Sequence, residues 1–122
     1  MKKERAILLK VSAKKDGEVI ALPKTLEDIC AALEVDTIDI VRRKINGKPY
    51  HIICDDEGFL RKNIIASGVY SFGIMAFVGN LIICSGKCTP DGKLIGLSAK
   101  DIENVLGCIQ KVNDYYVLFN IS

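Results

Sequence analysis

IIASGVYSFGIMAFVGNLIIC, residues 64–84, runs twenty-one residues without a formal charge, between Arg61-Lys62 on one side and Lys87 on the other. A helix of that length would rise about 31 Å, enough to cross a bilayer. The composition argues against it. Gly68, Gly73 and Gly79 interrupt the run, with Ser67, Ser71 and Asn80, and the remainder is rich in Val, Ile, Phe and Tyr. Such residues weaken a helix interior and suit strands broken by tight bends. Gly79-Asn80 can adopt the positive φ angles of a two-residue turn. The stretch therefore predicts a central hairpin, GIMAFV before the turn and LIIC after it, in a water-soluble sheet.

The rest of the chain is consistent with one domain over residues 1–122, long enough for a core of its own. Hydrophobic residues make up 49% and charged residues 26%, with a net charge of +2. That balance excludes an acidic DNA mimic and a protein that wraps duplex nucleic acid non-specifically. Five cysteines form an odd count, and the apolar run after the basic start MKKER is too short for a secretory leader. Reduced thiols and a cytoplasmic location are expected. Cys30, Cys54 and Cys108 fall inside apolar patterns and read as small core residues.

Working outward, RAILLKV from Arg5 predicts a first strand and EVIAL from Glu18 its partner, with Asp16-Gly17 as turn chemistry. Thr25 is a helix N-cap, followed by Leu26, Ile29, Cys30 and Leu33 on one apolar face, the helix ending near Glu34. Asn46-Gly47 is the strongest hairpin signal in the chain. With a two-residue loop, Ile45 faces Lys48, Arg43 faces Tyr50, Arg42 faces His51, Val41 faces Ile52 and Ile40 faces Ile53. Alternation then places Arg43, Tyr50, Val41 and Ile52 on one side of the sheet and Arg42, His51, Ile40 and Ile53 on the other. Asp55-Asp56-Glu57-Gly58 predicts a turn. Ser98 and Asp101 frame a second helix carrying Ile102, Val105, Leu106 and Ile109, weakened at Gly107, and DYYVLFNI from Asp114 predicts a last strand. The order of elements predicts an α+β fold: a mostly antiparallel sheet, open or curled into a small Greek-key-like barrel, with two short helices.

No catalytic set emerges. His51 is the only histidine, and no GxSxG, HExxH or phosphate-binding glycine loop is present. The acidic run Asp55-Asp56-Glu57 reads as a solvated turn. CSGKC (Cys84, Cys88) and HIIC (His51, Cys54) offer four zinc-ligand types, but residues three apart on a strand project to opposite faces, so no metal and no cofactor is expected. The basic hairpin tip is the most suggestive feature. Arg42, Arg43 and Lys48 suit phosphate, and Tyr50 or His51 suit stacking on a base. Arg61 and Asn63 join this set if they fold back beside it. The competing reading is a charged tip that keeps the sheet soluble and blunts edge pairing.

The segment from Thr37 to Ile109 resembles a family of small uncharacterised proteins encoded by phages and mobile elements, one of the numbered domains of unknown function. The features that carry the resemblance are the hairpin ending Cys54-Asp55-Asp56-Glu57-Gly58, Asn63, the strand ending Phe77-Val78-Gly79-Asn80-Leu81-Ile82-Ile83, and the run from Gly92 to Leu97 leading into Ser98-Ala99-Lys100-Asp101-Ile102-Glu103. The resemblance transfers no catalytic residue. It implies a non-enzymatic, stoichiometric role: a counter-defence protein that sequesters a cyclic or glycocyclic nucleotide, or a module that inhibits a host protein. A small hydrolase using His51 with the acidic turn is the remaining alternative. No membrane partner is expected, and the apolar sheet suggests a homo-oligomer.

Overall fold

The computed structural model describes residues 4–10, 17–56, 66–70, 75–78, 80–112 and 115–121. They form nine strands and two helices in an α+β arrangement with mostly antiparallel pairing.

Local chemistry fixes several elements as expected. β1 (Arg5–Leu9) pairs antiparallel with β2 (Glu18–Ala21), Leu8 opposite Glu18. Asp16 lies outside the described residues. α1 (Leu26–Leu33) starts where Thr25 accepts from the Asp28 amide at 3.0 Å. It stops at Glu34, whose φ of 60° ends the helix in the left-handed region while the Val35 amide reaches Cys30 O at 3.0 Å. Ile29 and Leu33 carry its buried face; Leu26, expected with them, is 64% exposed because it starts the first turn at the solvent edge.

β3 (Ile38–Ile45) and β4 (Lys48–Asp55) form the hairpin with the register counted from its turn, Ile45 opposite Lys48 through Ile40 opposite Ile53. Asn46 and Gly47 take φ values of 52° and 83°, as a type I′ turn requires.

The neutral run forms strands, but not the expected hairpin. β6 (Met75–Val78) pairs with β5 (Ala66–Tyr70), whereas β7 (Leu81–Ser85) crosses into the other sheet between β1 and β4. Gly79 itself lies outside the described residues. The reason is burial on two sides. Leu81 and Ile83 enter one core cluster, and Ile82 and Cys84 the other. A strand apolar at every position belongs in the middle of a sheet rather than at one side of a hairpin.

The five-stranded sheet runs β2-β1-β7-β4-β3, and the second sheet runs β6-β5-β9-β8, with β8 (Ile109–Val112), β9 (Tyr115–Leu118) and one parallel pair, β5 with β9. Neither sheet closes on itself, so the barrel option is not realised. One face of the larger sheet packs on α1. The other packs on Ile109, Tyr116 and Leu118 of the second sheet and on Val105 of α2 (Ala99–Leu106). Ile109, expected on the helix, belongs to β8 because Gly107 caps α2 two residues earlier. Between the sheets remains a void of about 10 Å³, room for at most a single water and no ligand. Among the described residues no helix is long and apolar enough to cross a membrane.

Candidate anion-binding surface at the hairpin tip

The β3–β4 register divides the sequence-selected residues between two faces. Arg42 and His51 point to the α1 side with Cys84, the residue opposite His51 on β7. Arg43 and Tyr50 point to the α2 side. Arg61 and Asn63 lie outside the described residues.

On the α2 side the hairpin is latched to the helix. Tyr50 is fully buried, and its hydroxyl donates to Asp101 Oδ1 at 3.0 Å while accepting from Asn104 Nδ2 at 3.0 Å. Lys48 Nζ forms an ion pair with the same carboxylate. Asn46 Nδ2 donates to Asn104 Oδ1 at 2.9 Å. Asp101 also closes the capping box of α2, accepting from the Ser98 amide at 3.3 Å while its own amide donates to Ser98 Oγ at 3.1 Å. These contacts line an open groove of about 490 Å³ with Lys100 and Glu103.

The protonation states in this latch are fixed rather than poised. Burial works against the charge on Asp101, but hydrogen bonds from Lys48, Ser98 and Tyr50 outweigh it and hold the carboxyl below its ordinary range. The hydrogen bond to Asp101 pushes the Lys48 ammonium up, and burial pushes the Tyr50 phenol up. Near neutrality Asp101 is ionised, while Lys48 and Tyr50 keep their protons. The cluster joins two elements and shuttles nothing. Tyr50, selected as a base-stacking residue, is therefore unavailable for stacking: its ring is in the core and its hydroxyl is committed.

What remains at the tip is basic and open. Arg42, Arg43, Lys44 and Pro49 line a concavity of about 420 Å³ on the free side of β3, the last strand of the sheet. Arg43 Nη1 donates to the Arg42 carbonyl at 2.9 Å, which caps one outward-facing backbone group of that strand. Asp39 Oδ1 caps another by accepting from the Ile40 amide at 2.9 Å. At the turn, Asn120 O accepts from the Asn46 amide at 2.7 Å and Ile121 bridges Ile45. The edge is thus blunted by side chains and by the C-terminal segment. Among the described residues, Arg42, Arg43 and Lys44 make no ion pair.

His51 is half-buried, with Nδ1 3.9 Å from Cys88 Sγ. Asp55 is four residues further along β4 from His51, about 13 Å at strand rise, and Glu57 lies outside the described residues. Cys54 points to the opposite face from His51, as the spacing indicated. Among the described residues, no group of three or more His, Cys, Asp or Glu side chains is placed to hold a metal ion.

Sequence reasoning missed Asp101, Asn104 and Asn46 as partners of the tip. The Ser98–Asp101 cap was visible as a local signal, but its contacts with Lys48 and Tyr50 span 53 and 51 residues. The sequence profile of the family described as Domain of unknown function (DUF3846) matches residues 4–110. No curated protein and no solved structure matches the chain.

Proposed function

The chain belongs to the DUF3846 family, and from that premise we propose a non-enzymatic binding role, in which the hairpin tip holds a phosphate-bearing nucleotide. Arg42, Arg43 and Lys44 neutralise phosphate, Arg42 and Arg43 by their two-pronged guanidinium groups. His51, beside Arg42 on the same face, stacks on the base. The observation that carries this reading is the run of three consecutive cations around an open concavity, without a carboxylate partner among the described residues. Lys48, committed to Asp101, positions the tip rather than the ligand.

The setting we infer is a phage or other mobile element, where such a protein sequesters a cyclic or glycocyclic nucleotide used by host defence. The order of sequence features supports that setting. The test is isothermal titration of the full chain against a panel of cyclic and glycocyclic nucleotides. Binding to at least one is expected, weakening with salt and lost in Arg42→Glu/Arg43→Glu. Silence from the whole panel would overturn it.

A second reading is a module that inhibits a host protein by docking an acidic surface. It is favoured by the openness of the concavity and by Ile40, 43% exposed two residues before Arg42 on the same face. Pull-down of a defined partner that survives charge reversal at Arg42 and Arg43 would place the contact elsewhere. Exposed Val19, Leu26 and Phe119 support self-association as part of either role.

A further inference from the structure

Three residues on the α1 side of the larger sheet take no part in the latch: His51, Cys84 and Cys88. His51 and Cys84 are directly opposite each other in the β4–β7 ladder, so their side chains share a face at cross-strand contact distance. Arg42 flanks His51 on its other side, from β3. Just beyond β7 the chain presses against β4 at Gly86 and returns at Cys88, whose Sγ is 3.9 Å from His51 Nδ1.

Cys88 is held firmly but left open. It bridges Leu94, and between them the Thr89 amide reaches Lys93 O at 2.9 Å and the Gly92 amide reaches Thr89 O at 2.9 Å. The thiol itself is exposed. Cys84 is the reverse: fully buried, with no hydrogen-bond partner among the described residues.

The remaining cysteines do not compete. Burial pushes the Cys54 thiol up to about 11 and Cys84 up to about 12, with Cys88 adding to the effect on Cys84, and burial also pushes Cys108 up. Such thiols stay protonated at neutral pH and are not the first to meet an oxidant, so Cys84 reacts only once a base beside it takes its proton. Cys30 is half-buried, with its Sγ 3.6 Å from Asp36 O.

We propose that Cys88 is an oxidant-reactive thiol, with His51 as its proton acceptor and Cys84 as its resolving partner. The oxidant class is a hydroperoxide. The Cys88 thiol passes its proton to His51 and its sulfur attacks the terminal peroxide oxygen. An S–O bond forms, the O–O bond breaks, and the leaving oxygen takes the proton from His51 to depart as water or an alcohol. Sulfur is oxidised and the peroxide reduced. Cys84 then passes its proton to His51, its cross-strand neighbour, and attacks the Cys88 sulfenic sulfur. The S–S bond forms, the S–O bond breaks, and the hydroxyl leaves as water with the Cys84 proton. The residues between them, Ser85-Gly86-Lys87, form the short loop that the disulfide would close. Since β7 carries Cys84 beside His51 and Arg42, oxidation would act next to the basic tip.

The test uses the full reduced chain, with hydrogen peroxide as oxidant and peptide mass mapping as readout. An internal Cys84–Cys88 disulfide is expected, a loss of two hydrogens confined to the peptides that carry them. In Cys84→Ser, dimedone should trap the sulfenic acid at Cys88, and in Cys88→Ser no disulfide should form. Iodoacetamide on the native chain should label Cys88 first, and His51→Gln should slow that labelling about tenfold by removing the proton acceptor beside the thiol. The mapping on unaltered protein keeps the test sound if a variant fails to fold. Labelling of Cys30 as fast as Cys88, peroxide chemistry that bypasses Cys84, or a rate indifferent to His51→Gln would each overturn the assignment.

Discussion

Tyr50 and Asp101, 51 residues apart in the chain, meet in a hydrogen bond of 3.0 Å from phenol to carboxylate. That bond makes the hairpin and the start of α2 one unit, because the same carboxylate takes Lys48 and caps the helix. Tyr50→Phe keeps the buried ring and removes only the hydroxyl, so Asp101 is left with Lys48 and Ser98, and Asn104 Nδ2 with the Ile45 carbonyl, each one hydrogen bond short. A loss of about 1–3 kcal/mol is expected, the usual worth of a buried hydrogen bond to a charged group. Urea unfolding should show it as a lower midpoint with an unchanged slope.

The same carboxylate gives stability a defined dependence on pH. Asp101 is held below its ordinary value of 3.8, so folding favours the ionised form. The contribution is complete above 3.8 and is lost as pH falls through the lower folded value. Asp101→Asn should be less stable than the parent at neutral pH. The gap between the two should narrow on acidification to about pH 3, measured by urea midpoints, as the wild-type carboxyl begins to take up its proton. A gap that stays constant would mean that the charge on Asp101 contributes nothing.

Legibility in the sequence followed the range of the interaction. Asn46-Gly47 fixes a turn and, by counting, five cross-strand pairs, all found. Thr25 and Ser98 announce caps whose hydrogen bonds form within three residues. Gly79-Asn80 said only that the chain can turn there. Which strand β7 pairs with depends on β1 and β4, tens of residues away, and no local signal carries that. Tyr50 is the same case on a smaller scale. Alternation placed it correctly beside Arg43 and Ile52, but the burial of that face was decided by α2, folded over it from the far end of the chain.

Glu34 offers a test in the stabilising direction. It is a non-glycine residue at φ 60°, the position where a helix end favours glycine. Its side chain is largely exposed, and its contact with Lys10 at 3.4 Å is a surface pair of little weight. Glu34→Gly should therefore raise stability by up to about 1 kcal/mol through relief of left-handed strain, less what the added freedom of the unfolded chain takes back. Thermal unfolding of the two proteins side by side decides it; a lower midpoint would show that the Lys10 contact outweighs the backbone.

Gly86 and Gly47 are both required, for different reasons, and substitution separates them. A Cβ at Gly86 would sit 2.5 Å from the Pro49 carbonyl oxygen and 3.0 Å from the Tyr50 nitrogen, both backbone atoms of β4 that cannot swing aside. At Gly47 a Cβ meets nothing within 4 Å, and only the φ of 83° resists a side chain. Gly86→Ala should cost about 1–3 kcal/mol by forcing the β4–β7 junction apart, as overpacking does. Gly47→Ala should cost about 1–2 kcal/mol from conformation alone. Asparagine tolerates the left-handed region, so Gly47→Asn should recover much of that loss, whereas Gly86→Asn should be at least as harmful as Gly86→Ala. Urea midpoints for the four variants read the pattern directly. Rescue by asparagine at position 86 would mean that β4 and β7 are not held as closely at that end as the 2.5 Å approach requires.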